Sequence, residues 1–192
     1  MEIVVATNNE HKLKEIEAIF KNQNLDVKFV LPPKEFNPEE NGISFEENAY
    51  IKAKAANLLT HKYTLADDSG LCVKSLNGAP GLYSNRFAGT QQEKIDKILK
   101  LLEGKDDRSA KFICVMTLLD EKGNVKFTAK GECNGSIIQK QKGINGFGYD
   151  PVFLPDGKLF TMAELSEDEK NQISHRRNAL NKVIDFLKTI VK

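Results

Sequence analysis

Two rhythms of apolar and polar residues run along the chain and mark an alternation of strands and helices. Residues 2–6 (EIVVA) form a short apolar run, followed by the polar stretch TNNEHK at 7–12. From Glu10 onward, Leu13, Ile16, Ile19 and Phe20 recur at helical spacing. Residues 26–31 (DVKFVL) predict a second strand, stopped by Pro32 and Pro33. A polar, acidic loop at 34–43 leads to Ser44, which with Glu47 fits a capping box and opens a helix expected to reach about His61. Residues 64–73 predict a strand interrupted by Asp67, Asp68, Ser69 and Gly70, residues of low strand propensity.

Beyond LNGAPGL (76–82), which is turn chemistry, residues 91–103 predict an amphipathic helix with Ile95, Ile98, Leu99 and Leu102 inward. KFICVMTLLD (111–120) is apolar on both faces, as a covered central strand should be. Residues 125–133 alternate cleanly, so 111–120 and 125–138 predict a long antiparallel hairpin around DEKGN. GINGFGYDP (143–151) is a glycine-rich loop. The chain from about Ser166 is helical, in two pieces, with Leu180, Ile184, Leu187 and Val191 on one face. This order of elements predicts an α/β fold.

Composition adds limits. The chain has 192 residues, enough for one domain spanning 1–192, and a net charge of +1, which argues against a general nucleic-acid binder. Cys72, Cys114 and Cys133 show no disulfide or zinc spacing, which favours a reducing, cytoplasmic compartment. No signal peptide and no apolar run of membrane-spanning length is expected. There is no GxxxxGK[ST] loop, no HExxH and no kinase signature.

Four stretches carry candidate chemistry. A polar loop entering a helix, as at 7–12, presents backbone N–H groups to an anion, with Thr7, Asn8 and Lys12 as further donors; an ordinary capped turn would look the same. On the helix from Ser44, about 100° per residue puts Lys52 on the face of Phe45, Ala49 and Ala56, where an ammonium needs anionic partners or must snorkel. Asp67 and Asp68 point to opposite sides of an extended segment, so one can face a site while the other does something else. Either suits Mg²⁺ as a hard oxygen ligand or can take a proton from water, with Glu40 as a second ligand; a solvated turn is the plain alternative. In GFGYDP, Phe147 and Tyr149 are candidates to stack on a flat base and Asp150 to accept hydrogen bonds or hold the loop. His175 and Arg176 offer donors for a carbonyl or phosphate.

These stretches occur together in one order: TNNEHK, SFEENAYIKAKAA, LADDSGL, GAPGLYSNRFAG, GFGYDPVF and ISHRRNAL. In this the chain resembles the inosine triphosphate pyrophosphatase (Ham1-like) family over nearly its whole length. The resemblance implies an elongated mixed β-sheet flanked by helices, with two lobes around a central cleft, usually in a homodimer. It implies Mg²⁺-dependent hydrolysis of purine nucleoside triphosphates with a deaminated base (ITP, dITP, XTP) to monophosphate and pyrophosphate, cleansing the nucleotide pool. Carried over, the phosphate loop matches Thr7, Asn8, Asn9, Glu10, His11 and Lys12, and the metal ligands match Glu40 and Asp68. Asp68 is also the implied proton acceptor, with Lys52 near the phosphates and Ser69 on the substrate. Phe147, Gly148, Tyr149 and Asp150 match the base side, and Lys170, His175 and Arg176 complete the nucleotide site. Many relatives have Thr-Gly-Asn where this chain has Thr7-Asn8-Asn9. The residues alone leave two rivals: a pyrophosphatase for modified pyrimidine triphosphates, and a nucleotide binder without catalysis.

Overall fold

The computed structural model describes residues 1–21 and 23–191, and His11 by its backbone only. Six strands form one mixed sheet: β1 (Glu2–Val5), β2 (Lys28–Val30), β3 (Tyr63–Val73), β4 (Ser109–Leu119), β5 (Val125–Ile137) and β6 (Phe153–Pro155). Their order is β2-β1-β3-β4-β5-β6. β1 lies parallel to both β2 and β3, with Val4 opposite Val30 and Thr64, and β6 runs antiparallel to β5. Five helices complete the fold: α1 (Glu10–Phe20), α2 (Phe45–Thr60), α3 (Gln91–Leu101), α4 (Glu167–Ile173) and α5 (His175–Ile190).

Local chemistry explains most boundaries. The Ser44 hydroxyl accepts a hydrogen bond from the Glu47 amide at 3.1 Å, so α2 starts where its cap demands. The Glu47 carboxylate reaches back one residue further than a capping box requires and accepts from the Ile43 amide at 2.9 Å. Thr90 and Ser166 make full capping boxes with Glu93 and Glu169, opening α3 and α4. β4 and β5 are neighbours joined by the short 120–124 turn, where the Asp120 amide donates to the Asn124 carbonyl at 3.0 Å.

One expectation needs correction. The segment 64–73 is not interrupted: β3 passes through Asp67, Asp68, Ser69 and Gly70 without a break. Neighbours that satisfy its backbone and bury its side chains override the low strand propensity of those residues. β6, which has only three residues, was too short to show a pattern of its own.

The chain divides into two compact units, each built from separated segments. Unit 1 comprises 1–68, 114–131 and 176–192; unit 2 comprises 69–113 and 132–175. In unit 1, Ile3 and Val5 of β1, Ile16 and Ile19 of α1, and Leu180, Val183, Ile184 and Leu187 of α5 share one core with Met116 and Leu118 of β4. On another side of the unit, Val4, Ala6, Ala53, Ala56 and Ala66 pack with Phe36 and Leu119. The small alanines of α2 let that helix approach its neighbours closely, and each larger core side chain contributes roughly 1.5–3 kcal/mol by leaving water. Unit 2 packs Ile95, Ile98 and Leu102 against Leu71, Phe112, Ile137 and Phe153.

Candidate functional site

Unit 1 holds an ionic cluster that four elements and one loop build together. β3 supplies two adjacent aspartates whose side chains leave the strand in opposite directions. Asp67 is 3% exposed and meets the ammonium of Lys12, from the first turn of α1, at 2.9 Å and 3.0 Å through its two oxygens. Its Oδ2 also accepts from Arg176 Nη2, at the start of α5, at 3.2 Å. The other terminal nitrogen of Arg176 donates to Glu15 of α1 in a short contact. Arg176 is 1% exposed, so its guanidinium is committed to carboxylates inside the unit.

Asp68 faces α2 instead. Its Oδ1 meets Lys52 Nζ at 2.9 Å, and its Oδ2 accepts from Asn48 Nδ2 at 3.2 Å. Lys52 and Asn48 are four residues apart and therefore stacked on one face of the helix. Lys52 also meets Glu40 Oε2 at 3.0 Å, so one ammonium holds two carboxylates. The loop bearing Glu40 is docked by Gly42, whose amide donates to Asn48 Oδ1 at 2.9 Å. A Cβ on Gly42 would come within 2.7 Å of that same oxygen, so the close approach requires glycine.

Neighbours of opposite sign divide the two aspartates. Burial works against the Asp67 charge, but the cations of Lys12 and Arg176 overcome it and hold the carboxyl well below the usual carboxylate range. Burial dominates at Asp68 and raises its pKa; Lys52 pulls the other way without cancelling it, and Glu40 adds to the rise. At Lys52, burial opposes the charge, yet Asp68, Asp67 and Glu40 together raise the pKa of the ammonium.

The cluster suits a hard divalent cation on donor chemistry. Glu40 and Asp68 already converge on one positive centre, Lys52 Nζ. Among the described residues no group of three or more His, Cys, Asp or Glu side chains gathers as a metal site. Two carboxylates, with water and phosphate oxygens completing the shell, is the way Mg²⁺ is commonly held.

The entry loop lies at the same end of β1. Thr7 is buried, and its Oγ1 accepts from the Asn9 amide at 3.0 Å. Asn8 Nδ2 donates to the Phe36 carbonyl at 3.2 Å, so the residue that stands where relatives often have glycine ties the loop to its neighbour. Asn8 is not among the residues of positive φ, and glycine is not needed there. Asn8, Asn9 and Glu10 are exposed, and the side chain of His11 lies outside the described residues.

Unit 2 holds a separate arrangement. Asp150, 5% exposed, accepts from the Phe147 amide at 2.9 Å and from Lys170 Nζ of α4 at 2.8 Å, both through Oδ2. The same ammonium lies 4.5 Å from the centroid of the Phe147 ring. The Gly148 amide donates to Gln91 Oε1 at 3.1 Å. Of the two aromatics proposed for stacking, Phe147 is 38% exposed, while Tyr149 is 4% exposed and its hydroxyl donates to the Ser84 carbonyl at 2.9 Å. Phe147 alone presents a ring face. His175 stacks on Phe112, with centroids 4.9 Å apart, and Ser69 is half-buried.

Unit 1 thus brings together Lys12, Glu40, Lys52, Asp68 and Arg176 with Asp67, and unit 2 brings together Phe147, Gly148, Asp150 and Lys170. Sequence reasoning missed Glu15 and Asn48. Both lie one helical turn from a lysine already singled out, Glu15 three residues after Lys12 and Asn48 four before Lys52, each on the same helix face as that lysine.

Comparison with known proteins gives one answer. The Ham1 family profile matches residues 3–186. A dITP/XTP pyrophosphatase of Synechocystis sp. is 43% identical over 183 residues, covering 95% of this chain and 93% of its own. That of Bacillus licheniformis is 47% identical over 193 residues, covering 97% of each chain. Among solved structures, the Staphylococcus aureus Ham1 protein superposes with a TM-score of 0.89 at 41% identity, over 99% of this chain and 100% of its own.

Proposed function

The chain belongs to the Ham1 family, and from that premise we propose that it hydrolyses purine nucleoside triphosphates with a deaminated base, such as dITP and XTP, to the monophosphate and pyrophosphate. The single observation that carries the reading is Lys52 flanked by Glu40 and Asp68 inside unit 1, next to the Asp67–Lys12 pair. A protein that only bound polyanions would gain nothing from carboxylates beside its lysines unless a cation joined them.

The divalent cation, taken as Mg²⁺, would be held by Glu40 and Asp68 and would supply charge neutralisation and Lewis acidity at the phosphates. The chain's own groups do the rest. Asp68, whose burial raises its pKa, is the better proton acceptor of the two aspartates. It takes the proton from a water whose oxygen bonds to the α-phosphorus as the bond to the bridging oxygen breaks. Lys12 and Lys52 offset the charge that grows on the departing pyrophosphate. Asp67 reacts with nothing; it fixes Lys12. Thr7, Asn8, Asn9 and Glu10 bring the backbone of the entry loop to the phosphates. Phe147, steadied by Lys170 and Asp150, offers the stacking face for a flat base. Arg176 serves through Asp67. The family resemblance supports a homodimer, which sedimentation checks, and the cysteine spacing supports a cytoplasmic compartment.

Pyrophosphate release from ITP, dITP, XTP, ATP, GTP, dTTP and UTP, with and without Mg²⁺, tests the reading. Turnover of the deaminated purines well above the rest, abolished by chelation, is expected. Faster turnover of dTTP or UTP would assign the chain to pyrimidines, and binding without pyrophosphate release would make it a binder only.

A further inference from the structure

Two carboxylates in unit 1 turn to one ammonium. Among the described residues, Asp67 meets both Lys12 and Arg176, with Glu15 on the far side of the arginine. Glu40, whose side chain is 38% exposed, and buried Asp68 both meet Lys52, at 3.0 Å and 2.9 Å. The place where the oxygens of the two implied metal ligands converge is filled by that ammonium.

Two carboxylates drawn together where one is buried and the other partly so repel each other unless a cation lies between them. Lys52 supplies it without any outside ion, and so keeps the Glu40 loop docked on α2. The same ammonium must be given up for a divalent cation to take both oxygens. Lysine suits this exchange better than arginine would: its charge is a point on a flexible four-carbon stem, with no rigid fork to lock it in place.

We propose that Lys52 is an exchangeable internal counter-ion, which holds the Glu40–Asp68 pair in the metal-free protein and yields it when a divalent cation binds, leaving its charge for the phosphates. The proposal rests on Glu40 and Asp68 being the metal ligands. Two consequences follow. Lys52 competes with the metal, so the protein binds Mg²⁺ more weakly than the two carboxylates alone would. Removing Lys52 also leaves the metal-free pair repelling.

The test uses Mg²⁺ alone, without nucleotide, on the full chain. Lys52→Met keeps the stem and removes the charge. Its melting temperature in chelator should fall below that of the wild type, and its Mg²⁺ midpoint, by calorimetry and by thermal shift, should drop about tenfold or more. A midpoint unchanged or raised overturns the exchange. Should Lys52→Met not fold, the wild type answers by itself. Acylation of Lys52, followed by mass spectrometry, should speed up when Mg²⁺ is added; unchanged or slowed labelling overturns the proposal. Asp68→Asn separates the two claims. If wild-type protein responds to Mg²⁺, Asp68→Asn does not, and Lys52→Met binds no tighter, the exchange fails and the metal ligands stand. If wild-type protein shows no response to Mg²⁺, both fail.

Discussion

Asp67 and Asp68 are the same residue side by side, yet the structure gives them opposite surroundings. Asp67 carries a carboxyl held low by Lys12 and Arg176 against the cost of burial. Its folded pKa lies below the unfolded value of 3.8, so its contribution to stability is complete above that value and is lost as the pH falls below it. Asp67→Asn takes a carboxylate from both Lys12 and Arg176, two buried cations, and should cost about 3–5 kcal/mol in denaturant unfolding, while flattening the acid side of the stability curve. Asp68 is raised by burial. The sign reverses: its ionisation weakens the fold as the pH climbs above 3.8, while its charge also holds Lys52, so Asp68→Asn should cost less stability at neutral pH than Asp67→Asn. Pyrophosphate release by Asp68→Asn should nonetheless drop by about a hundredfold or more. Strand alternation told from sequence that the pair divides; which member faces which partner depended on Lys12, Lys52 and Arg176, residues 16 to 109 positions away. The same holds for Phe147 and Tyr149, since only the fold brings Ser84 to the tyrosine hydroxyl.

Elements with their own caps or a strong period were readable in advance. The Ser44 start of α2, the break between α4 and α5 and the doubly covered β4 all follow from local pattern. β3 was misjudged as broken because its polar residues are satisfied by ions from other elements, and the sequence does not display those. The 143–151 loop shows how such a segment is fixed. Gly146 has φ of +74°, and a Cβ there would lie 2.1 Å from Asp150 Oδ2, the oxygen that holds the Phe147 amide and Lys170. Gly146→Ala should therefore displace the Asp150 carboxylate. Hydrogen exchange at the Phe147 amide should quicken by about tenfold or more, with α2 and its amides unaffected; equal protection in both proteins would show that Asp150 does not clamp the loop.

On the scale of the whole molecule, the α/β class was legible because strands and helices alternate with clear periods, and the mixed sheet was what the family resemblance implied. Two lobes entered only through that resemblance, and the residues do not mark the boundary between units, since each unit gathers segments far apart in the chain and the boundary at Asp68–Ser69 falls inside a continuous strand. No linker marks it. The candidate chemistry was legible as separate motifs, and the grouping of Lys12, Glu40, Lys52 and Asp68 in unit 1 is the step the fold adds. From that grouping comes the central proposal, that water attacks the α-phosphorus and pyrophosphate leaves. Hydrolysis of ITP in ¹⁸O-labelled water, with the products weighed by mass spectrometry, tests it most directly. One labelled oxygen in the monophosphate and none in the pyrophosphate is the expected result. Label in the pyrophosphate, or release of inorganic phosphate in its place, would contradict it.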